Sequence, residues 1–134
     1  MLVSRGGDYA IRAMVDLASR PGEERTITQG IADRQQIPPA FLSKVLASLT
    51  QAGLVRTHRG AAGGVALARS PEGISLLEVV KAVQGPIILN ECTDAYRTCP
   101  LEDSCTVSQV WREAQKNLEE LLGSAYLSRF AKAD

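Results

Sequence analysis

The sequence has few of the features that mark membrane and exported proteins. Its 134 residues contain 4% aromatic residues, and no apolar run approaches the length of a membrane-spanning helix. Charged side chains in the first twenty positions argue against a signal peptide there, and they include Arg5, Asp8, Arg12 and Asp16. The odd number of cysteines, three, argues against a disulfide framework. We therefore expect a cytoplasmic protein with reduced thiols and no membrane partner.

A catalytic constellation is also missing. The sequence contains one histidine, His58, and no nucleophile paired with a base, so the chain is predicted not to be an enzyme. Because His58 lies far from the cysteines in sequence, we interpret it as a surface or phosphate-contacting residue rather than a metal ligand.

Acidic residues are absent from the middle of the chain. Residues 34–71 contain five basic residues and no acidic one, although the net charge of the chain is zero: Arg34, Lys44, Arg56, Arg59 and Arg69. A basic segment in a neutral protein is typical of a phosphate-contacting surface, and a solvated face is the alternative.

Hydrophobic periodicity predicts a mainly α fold with a small β-wing. Apolar residues at helical spacing predict a first helix over residues 8–19, and Thr28 is the expected cap of a short second helix. Pro39 suits the first turn of a third helix, which Gly53 ends in the left-handed conformation. This order of helix, short helix, turn and helix is typical of a helix-turn-helix.

The rest of the chain divides into three further parts. Alternating residues predict strands at 54–58 and 65–69 joined by a glycine-rich hairpin, which form a wing. Ser75 then caps another helix, with Glu78 completing a capping box. The predicted organisation is a winged helix-turn-helix DNA-binding domain over 1–83, a cysteine cluster-binding loop over 84–106 and a dimerisation helix over 107–134.

The last helix has a long apolar stripe for so small a domain. We interpret it as a dimerisation helix, with three aromatic or apolar residues beyond it extending the contact: Tyr126, Leu127 and Phe130. The stripe comprises Val107, Val110, Trp111, Ala114, Leu118, Leu121, Leu122 and Ala125.

The third helix is the candidate recognition helix, because the N-terminal end of such a helix enters the DNA major groove. The predicted contacts to double-stranded DNA are its outward-facing residues and those of the wing: Pro39, Ala40, Ser43, Lys44, Arg56, His58, Arg59, Gly60 and Gly63. A serine hydroxyl reads either base type, a lysine binds phosphate or guanine, and wing residues reach phosphates or the minor groove.

Three cysteines fall within a single short segment of the chain. Six residues separate Cys92 from Cys99, and five separate Cys99 from Cys105. Three thiolates hold a soft metal or an iron–sulfur cluster and leave one position for a fourth ligand. Zinc sites prefer closer pairs, and the polar neighbours of the cysteines argue against inert buried thiols. On chemistry alone an iron–sulfur cluster is therefore favoured over zinc.

Four segments make the chain resemble the IscR/NsrR/RirA superfamily of dimeric winged-helix regulators. They read GGDYAIRAMVDLA, IPPAFLSKVLASLTQAGLV, RGAAGGVALARSPEGISLLEVVKAVQGP and ECTDAYRTCPLEDSC, and together they cover nearly the whole chain. The resemblance implies a homodimer, control of DNA binding by cluster state, and Cys92, Cys99 and Cys105 as cluster ligands.

The resemblance also bears on the fourth ligand. IscR-like members use a histidine shortly after the third cysteine, whereas residues 106–109 here contain none. NsrR-like members carry an aspartate near the N-terminus that reaches the partner subunit's cluster, and Asp8 stands at the matching position. The resemblance thus favours Asp8 as a ligand in trans and a 4Fe–4S cluster over a 2Fe–2S cluster. A helix N-cap or first-turn acid is the alternative role for Asp8.

Three departures from the superfamily pattern concern the site. The first cysteine gap is one residue longer than in the best-known members, and the wing lacks one glycine of the usual triple. Position 43 is serine, where an IscR recognition helix carries glutamate, so a different operator is expected.

These observations lead to the hypothesis of a cluster-sensing transcriptional repressor that binds a palindromic operator as a homodimer. One alternative is a cluster-free regulator of the same fold that senses oxidation through its thiols. Another is an iron–sulfur scaffold or electron-transfer protein with no DNA role, against which the basic segment argues.

Overall fold

The computed structural model describes residues 2–20, 25–58, 64–94, 100–101 and 104–132. The predictions made for Cys99, Arg59, Gly60 and Gly63 lie outside these ranges. Within them, the helices are α1 (Arg5–Ala18), α2 (Thr28–Gln35), α3 (Pro39–Gln51), α4 (Leu76–Gln84) and α5 (Ser108–Gly123). The strands are β1 (Val55–His58) and β2 (Gly64–Leu67), and short 3₁₀ turns lie at Pro71–Gly73, Glu91–Thr93 and Leu127–Arg129. Among the described helices, none has the length and apolar character needed to cross a bilayer.

The first helix begins earlier than its apolar spacing predicts. Ser4 is the N-cap, and its hydroxyl accepts a hydrogen bond from the backbone N–H of Gly7 at 3.0 Å. A side chain at Gly7 would meet Oε1 of Gln84 at 2.5 Å, so glycine here permits close packing of α1 against α4. The predicted start at residue 8 is wrong because the glycines before it, poor helix formers, are held in the helix by tertiary contact.

The helix-turn-helix has the predicted order with one different cap. Ile27, not Thr28, is the N-cap of α2, and its side chain makes no capping hydrogen bond. Gln36 adopts the left-handed conformation, with a φ of 52°, in the turn between α2 and α3. Pro39 occupies the first turn of α3, and Gly53 follows the helix with a φ of 78°, as predicted.

The wing is an antiparallel pair attached to the start of α2. Val55 pairs with Leu67 and His58 with Gly64, so both strands are slightly shorter than predicted. Thr26 and Val65 exchange backbone hydrogen bonds of 2.6 and 2.8 Å. A Cβ on Gly64 would meet the Thr26 carbonyl oxygen at 2.5 Å, so this close approach requires glycine. The wing is therefore held against the helix-turn-helix by backbone as well as side chains.

The core lies between α1, α3 and α4 and includes the C-terminal segment after α5. Leu127 is fully buried in this core, and its N–H donates to the Ile74 carbonyl at 2.9 Å. The prediction that Leu127 extends a dimer contact is wrong, because the chain returns after α5 and buries this side chain within its own domain. Ala125 is likewise buried, whereas Tyr126 is exposed.

The packing of α5 departs from the usual helical pattern. Its buried side chains are two polar residues, Ser108 and Gln115. Three of its large apolar residues are instead exposed, with 65% of Val110, 40% of Trp111 and 64% of Leu121 accessible to solvent. Exposed apolar residues on one helix are typical of an interaction surface.

Candidate DNA interface and cysteine segment

The outward face of α3 includes four of the residues predicted to contact DNA. Pro39, Ala40, Ser43 and Lys44 are exposed, while the intervening Leu42, Val45 and Leu46 are buried in the core. The exposed Ser43 hydroxyl donates to the Pro39 carbonyl at 3.1 Å, which leaves its oxygen lone pairs as acceptors. The helix thus presents an acceptor and a cation on the same exposed surface.

A groove of about 570 Å³ separates the C-terminal half of α3 from the wing. His58 lines it, and its Nε2 atom is buried without a hydrogen-bond partner among the described residues. This groove is also lined by polar side chains that were not predicted to contact DNA, among them Thr28, Thr50, Gln51 and Thr57. Only Thr28, at the start of a helix, carried a sequence signal, because helix N-termini favour phosphate.

The four basic residues of the acid-free segment that the structure describes separate into two groups. Arg69 donates to Glu78 and to the Gly73 carbonyl, each at 2.7 Å, and Arg34 donates to Asp16 at 2.9 and 3.0 Å. Lys44 and Arg56 are exposed and form no ion pair with the described residues. The positive charge available to phosphate is therefore smaller than the sequence total indicates.

Asp16 holds α1 and α2 together from a buried position. Burial alone would raise the pKa of this carboxyl, but hydrogen bonds from Arg34, Gln35 and Arg20 outweigh it and lower the pKa below its usual value. Gln35 donates to the second carboxylate oxygen at 3.0 Å. Asp16 therefore links α1 to Arg34 and Gln35 at the end of α2.

This division of the basic residues predicts that substitutions of Lys44 and of Arg69 change the salt dependence of DNA binding differently. Log affinity falls as log salt rises, and replacing Lys44 with glutamine should make this negative slope less steep by about one, because one phosphate contact is lost. Replacing Arg69 with glutamine should leave that slope nearly unchanged, since its guanidinium is already bound within the domain. The measurement is a titration of a random-sequence duplex at several salt concentrations. An unchanged slope for the Lys44→Gln variant would exclude this phosphate contact.

Asp8 lies on the exposed surface of the first turn of α1, with 62% of its side chain accessible. It is not the N-cap, and its carboxylate forms an ion pair with Arg12 at 3.4 Å. Arg12 also donates to the backbone carbonyl of Gln35 at 2.7 Å and lies 4.7 Å above the Tyr9 ring. An exposed carboxylate is thus joined by a single arginine to the end of α2.

Two of the three cysteines lie in the described part of the cysteine segment. Cys92 lies in the 3₁₀ turn Glu91–Thr93, which Asn90 caps, and the predicted irregular loop is in this part regular. The backbone N–H of Cys105 donates to the Leu101 carbonyl at 2.7 Å. Both thiols are free and half-buried. No three metal-ligating side chains come together in the described ranges, from which Cys99 is missing.

Comparison with known proteins identifies relatives along the whole chain. The family model Rrf2, described as iron-dependent transcriptional regulator, matches residues 3–133. The transcriptional regulator NsrR of Bacillus subtilis is 38% identical over 80% of this chain and 74% of its own length. The transcriptional regulator IscR of Xenorhabdus nematophila is 30% identical over 98% of this chain and 80% of its own length.

A solved structure confirms the architecture. The solved structure of CymR, described as the global cysteine regulator of B. subtilis, superposes with a TM-score of 0.81 at 27% identity. The superposition covers 97% of this chain and 98% of that one. The predicted fold class and the resemblance stated from the sequence motifs are both confirmed.

Proposed function

The chain belongs to the Rrf2 family of DNA-binding transcriptional regulators, and from this premise we propose that it is a repressor whose operator binding depends on an iron–sulfur cluster. The family assignment decides against an enzyme and against an iron–sulfur protein with no DNA role. The proposed operator is palindromic, because a two-fold dimer places two recognition helices on equivalent half-sites.

The observation that carries the cluster proposal is the state of the described cysteines. Cys92 and Cys105 are half-buried free thiols, each at an ordered position of the segment between α4 and α5. Buried structural thiols would instead lie within the apolar core, which contains neither cysteine. With Cys99 between them, they supply three thiolates, the ligand type that iron–sulfur clusters require. When bound, the cluster supplies redox-sensitive cross-links between these cysteines.

Asp8 of the partner subunit is the proposed fourth ligand. Its exposed carboxylate is available to another subunit, and carboxylate is a harder ligand than thiolate, which suits a site that releases iron readily. Ligation would withdraw Asp8 from Arg12, the residue that also binds the Gln35 carbonyl at the end of α2. A change at the ligand therefore has a direct path of contacts to the helix-turn-helix.

The proposed homodimer is formed through α5. Its exposed Val110, Trp111 and Leu121 provide the apolar face that a second copy of the helix would cover. This arrangement places the cysteine segment, which directly precedes α5, beside the subunit contact. A ligand reaching across from the other subunit is consistent with that placement.

Oxygen-free purification followed by iron and sulfide assays tests the proposal. We expect a brown protein with a broad visible absorption and near-equal iron and sulfide, about four of each per monomer for a 4Fe–4S cluster. Binding to duplexes selected from a random library should then differ between the loaded and iron-depleted protein at one fixed salt concentration. A protein that stays colourless after reconstitution with iron and sulfide would contradict the cluster proposal.

A cluster-free thiol regulator is the second candidate, favoured by the similarity to CymR, a cysteine regulator in B. subtilis. In this alternative two thiols lose two electrons and two protons to an oxidant such as peroxide and form a disulfide. The oxidised protein is expected to be colourless. Its DNA affinity should change on oxidation and return to the starting value after treatment with a dithiol reductant. Iron content separates the two candidates directly.

A further inference from the structure

Gln115 is the most unusually placed residue of α5. The helix leaves three large apolar side chains exposed and yet buries this amide to 7% accessibility. Burying an amide is unfavourable unless its hydrogen-bonding groups find partners. The surrounding contacts therefore indicate what the residue holds in place.

The Gln115 amide binds the backbone on both sides of one residue of the preceding segment. Its Nε2 donates to the Ile87 carbonyl at 2.7 Å, and its Oε1 accepts from the Leu89 N–H at 3.0 Å. The remaining N–H lies 3.3 Å from Oε1 of Glu119. The side chain thus bonds this segment as the peptide group of a neighbouring strand would.

The bound segment leads directly into the first cysteine. Ile87 is buried, and Asn90, the residue after Leu89, caps the turn that contains Cys92. Two residues separate Leu89 from Cys92 along the chain, and the three peptide steps span at most about 11 Å. A fixed backbone at Leu89 therefore restricts the positions that the Cys92 thiol reaches.

We propose that Gln115 is a positioning residue for Cys92, which holds the backbone before this ligand in place for cluster binding. The inference rests on the proposed cluster function. Ordering the segment in advance lowers the conformational entropy that cluster binding must remove, so the bound state is favoured. Because α5 also carries the proposed dimer face, the same amide joins that face to the cysteine segment.

The test compares Gln115→Met and Gln115→Glu with wild type. Methionine has a similar volume and helix propensity but forms neither hydrogen bond, whereas an ionised glutamate keeps the acceptor for Leu89 and loses the donor to Ile87. In the loaded protein we expect a chelator to remove iron on the order of tenfold faster from the methionine variant. The glutamate variant should also release iron faster than wild type, because its second carboxylate oxygen would face the Ile87 carbonyl and Glu119. In cluster-free protein, the Leu89 amide should exchange its hydrogen faster in Gln115→Met than in wild type.

Gln109→Met is the matched control, since Gln109 is an exposed glutamine on the same helix. It should leave both the iron-release rate and the Leu89 exchange rate at wild-type values. Equal iron-release rates for wild type and both Gln115 variants would overturn the positioning role while the cluster function stands. A wild-type protein that takes up no iron would overturn the cluster function itself, and this inference with it.

Discussion

Replacing Cys105 with alanine is expected to yield a folded protein that contains almost no iron or sulfide after oxygen-free purification. The substitution removes one of three thiolates, and two thiolates with a carboxylate form an incomplete ligand set for a cluster. Folding should persist, because the Cys105 contacts to Leu101 and Ser108 involve backbone atoms of the cysteine, which alanine retains. Iron and sulfide assays per monomer, together with the visible spectrum, measure the result.

Ser104→Ala is the matched control for this prediction. Ser104 is the exposed neighbour of Cys105 and donates a long hydrogen bond of 3.4 Å to the Leu101 carbonyl. Its loss changes the same short turn without removing a thiolate, so wild-type iron content is expected. Full cluster occupancy in the Cys105→Ala protein would remove Cys105 from the ligand set. Loss of iron in both variants would attribute the effect to the turn rather than to the thiol.

Placing glutamate at both Val110 and Leu121 is expected to convert a dimer into monomers. The two positions lie only about 20° apart around the helix axis, so both acidic groups would enter the apolar face that the partner covers. Two unpaired carboxylates in such a contact are strongly unfavourable. Operator affinity should fall by a factor on the order of 10² or more, because the second half-site is no longer tethered. Light scattering gives the mass, and a duplex titration gives the affinity.

Lys116→Glu controls for the added charge. It changes the net charge by the same two units, but it lies about 240° from Val110 around the helix, away from the apolar face. Its own ion pair with Glu120 is exposed and 4.0 Å long, so its loss should matter little. A dimer is therefore expected for this variant. A double glutamate variant that remains dimeric would place the subunit contact elsewhere.

The features that were predictable from sequence depend on neighbouring residues. Pro39 at the start of α3, Gly53 after it and the Ser75 cap hydrogen-bonded to the Glu78 N–H all lie where predicted. Each is a preference of a residue for a backbone conformation or for a donor three positions away, and such preferences hold in most tertiary contexts. The exposed face of α3 was likewise predictable, because helical periodicity separates Lys44 from the buried Leu42 and Val45.

Other features depended on residues that are distant in sequence. From the sequence, Arg34 and Arg69 were predicted to belong to one basic surface. The fold brings Asp16 against Arg34 and Glu78 against Arg69. The roles of Gly7 and Leu127 follow from packing against α4 and the domain core. Composition records a charge or an apolar group but not its partner, since partners are selected by long-range packing.

The sequence by itself determined the family, the helix-turn-helix with its wing and the three candidate thiolate ligands, because these are carried by local spacing and by motifs. Only the tertiary structure decided which cations remain exposed and that Arg12 joins Asp8 to the end of α2. It also decided that Gln115 holds the segment before Cys92. These outcomes require distant segments to meet, and hydrogen bonds between them form only once the core has brought them together.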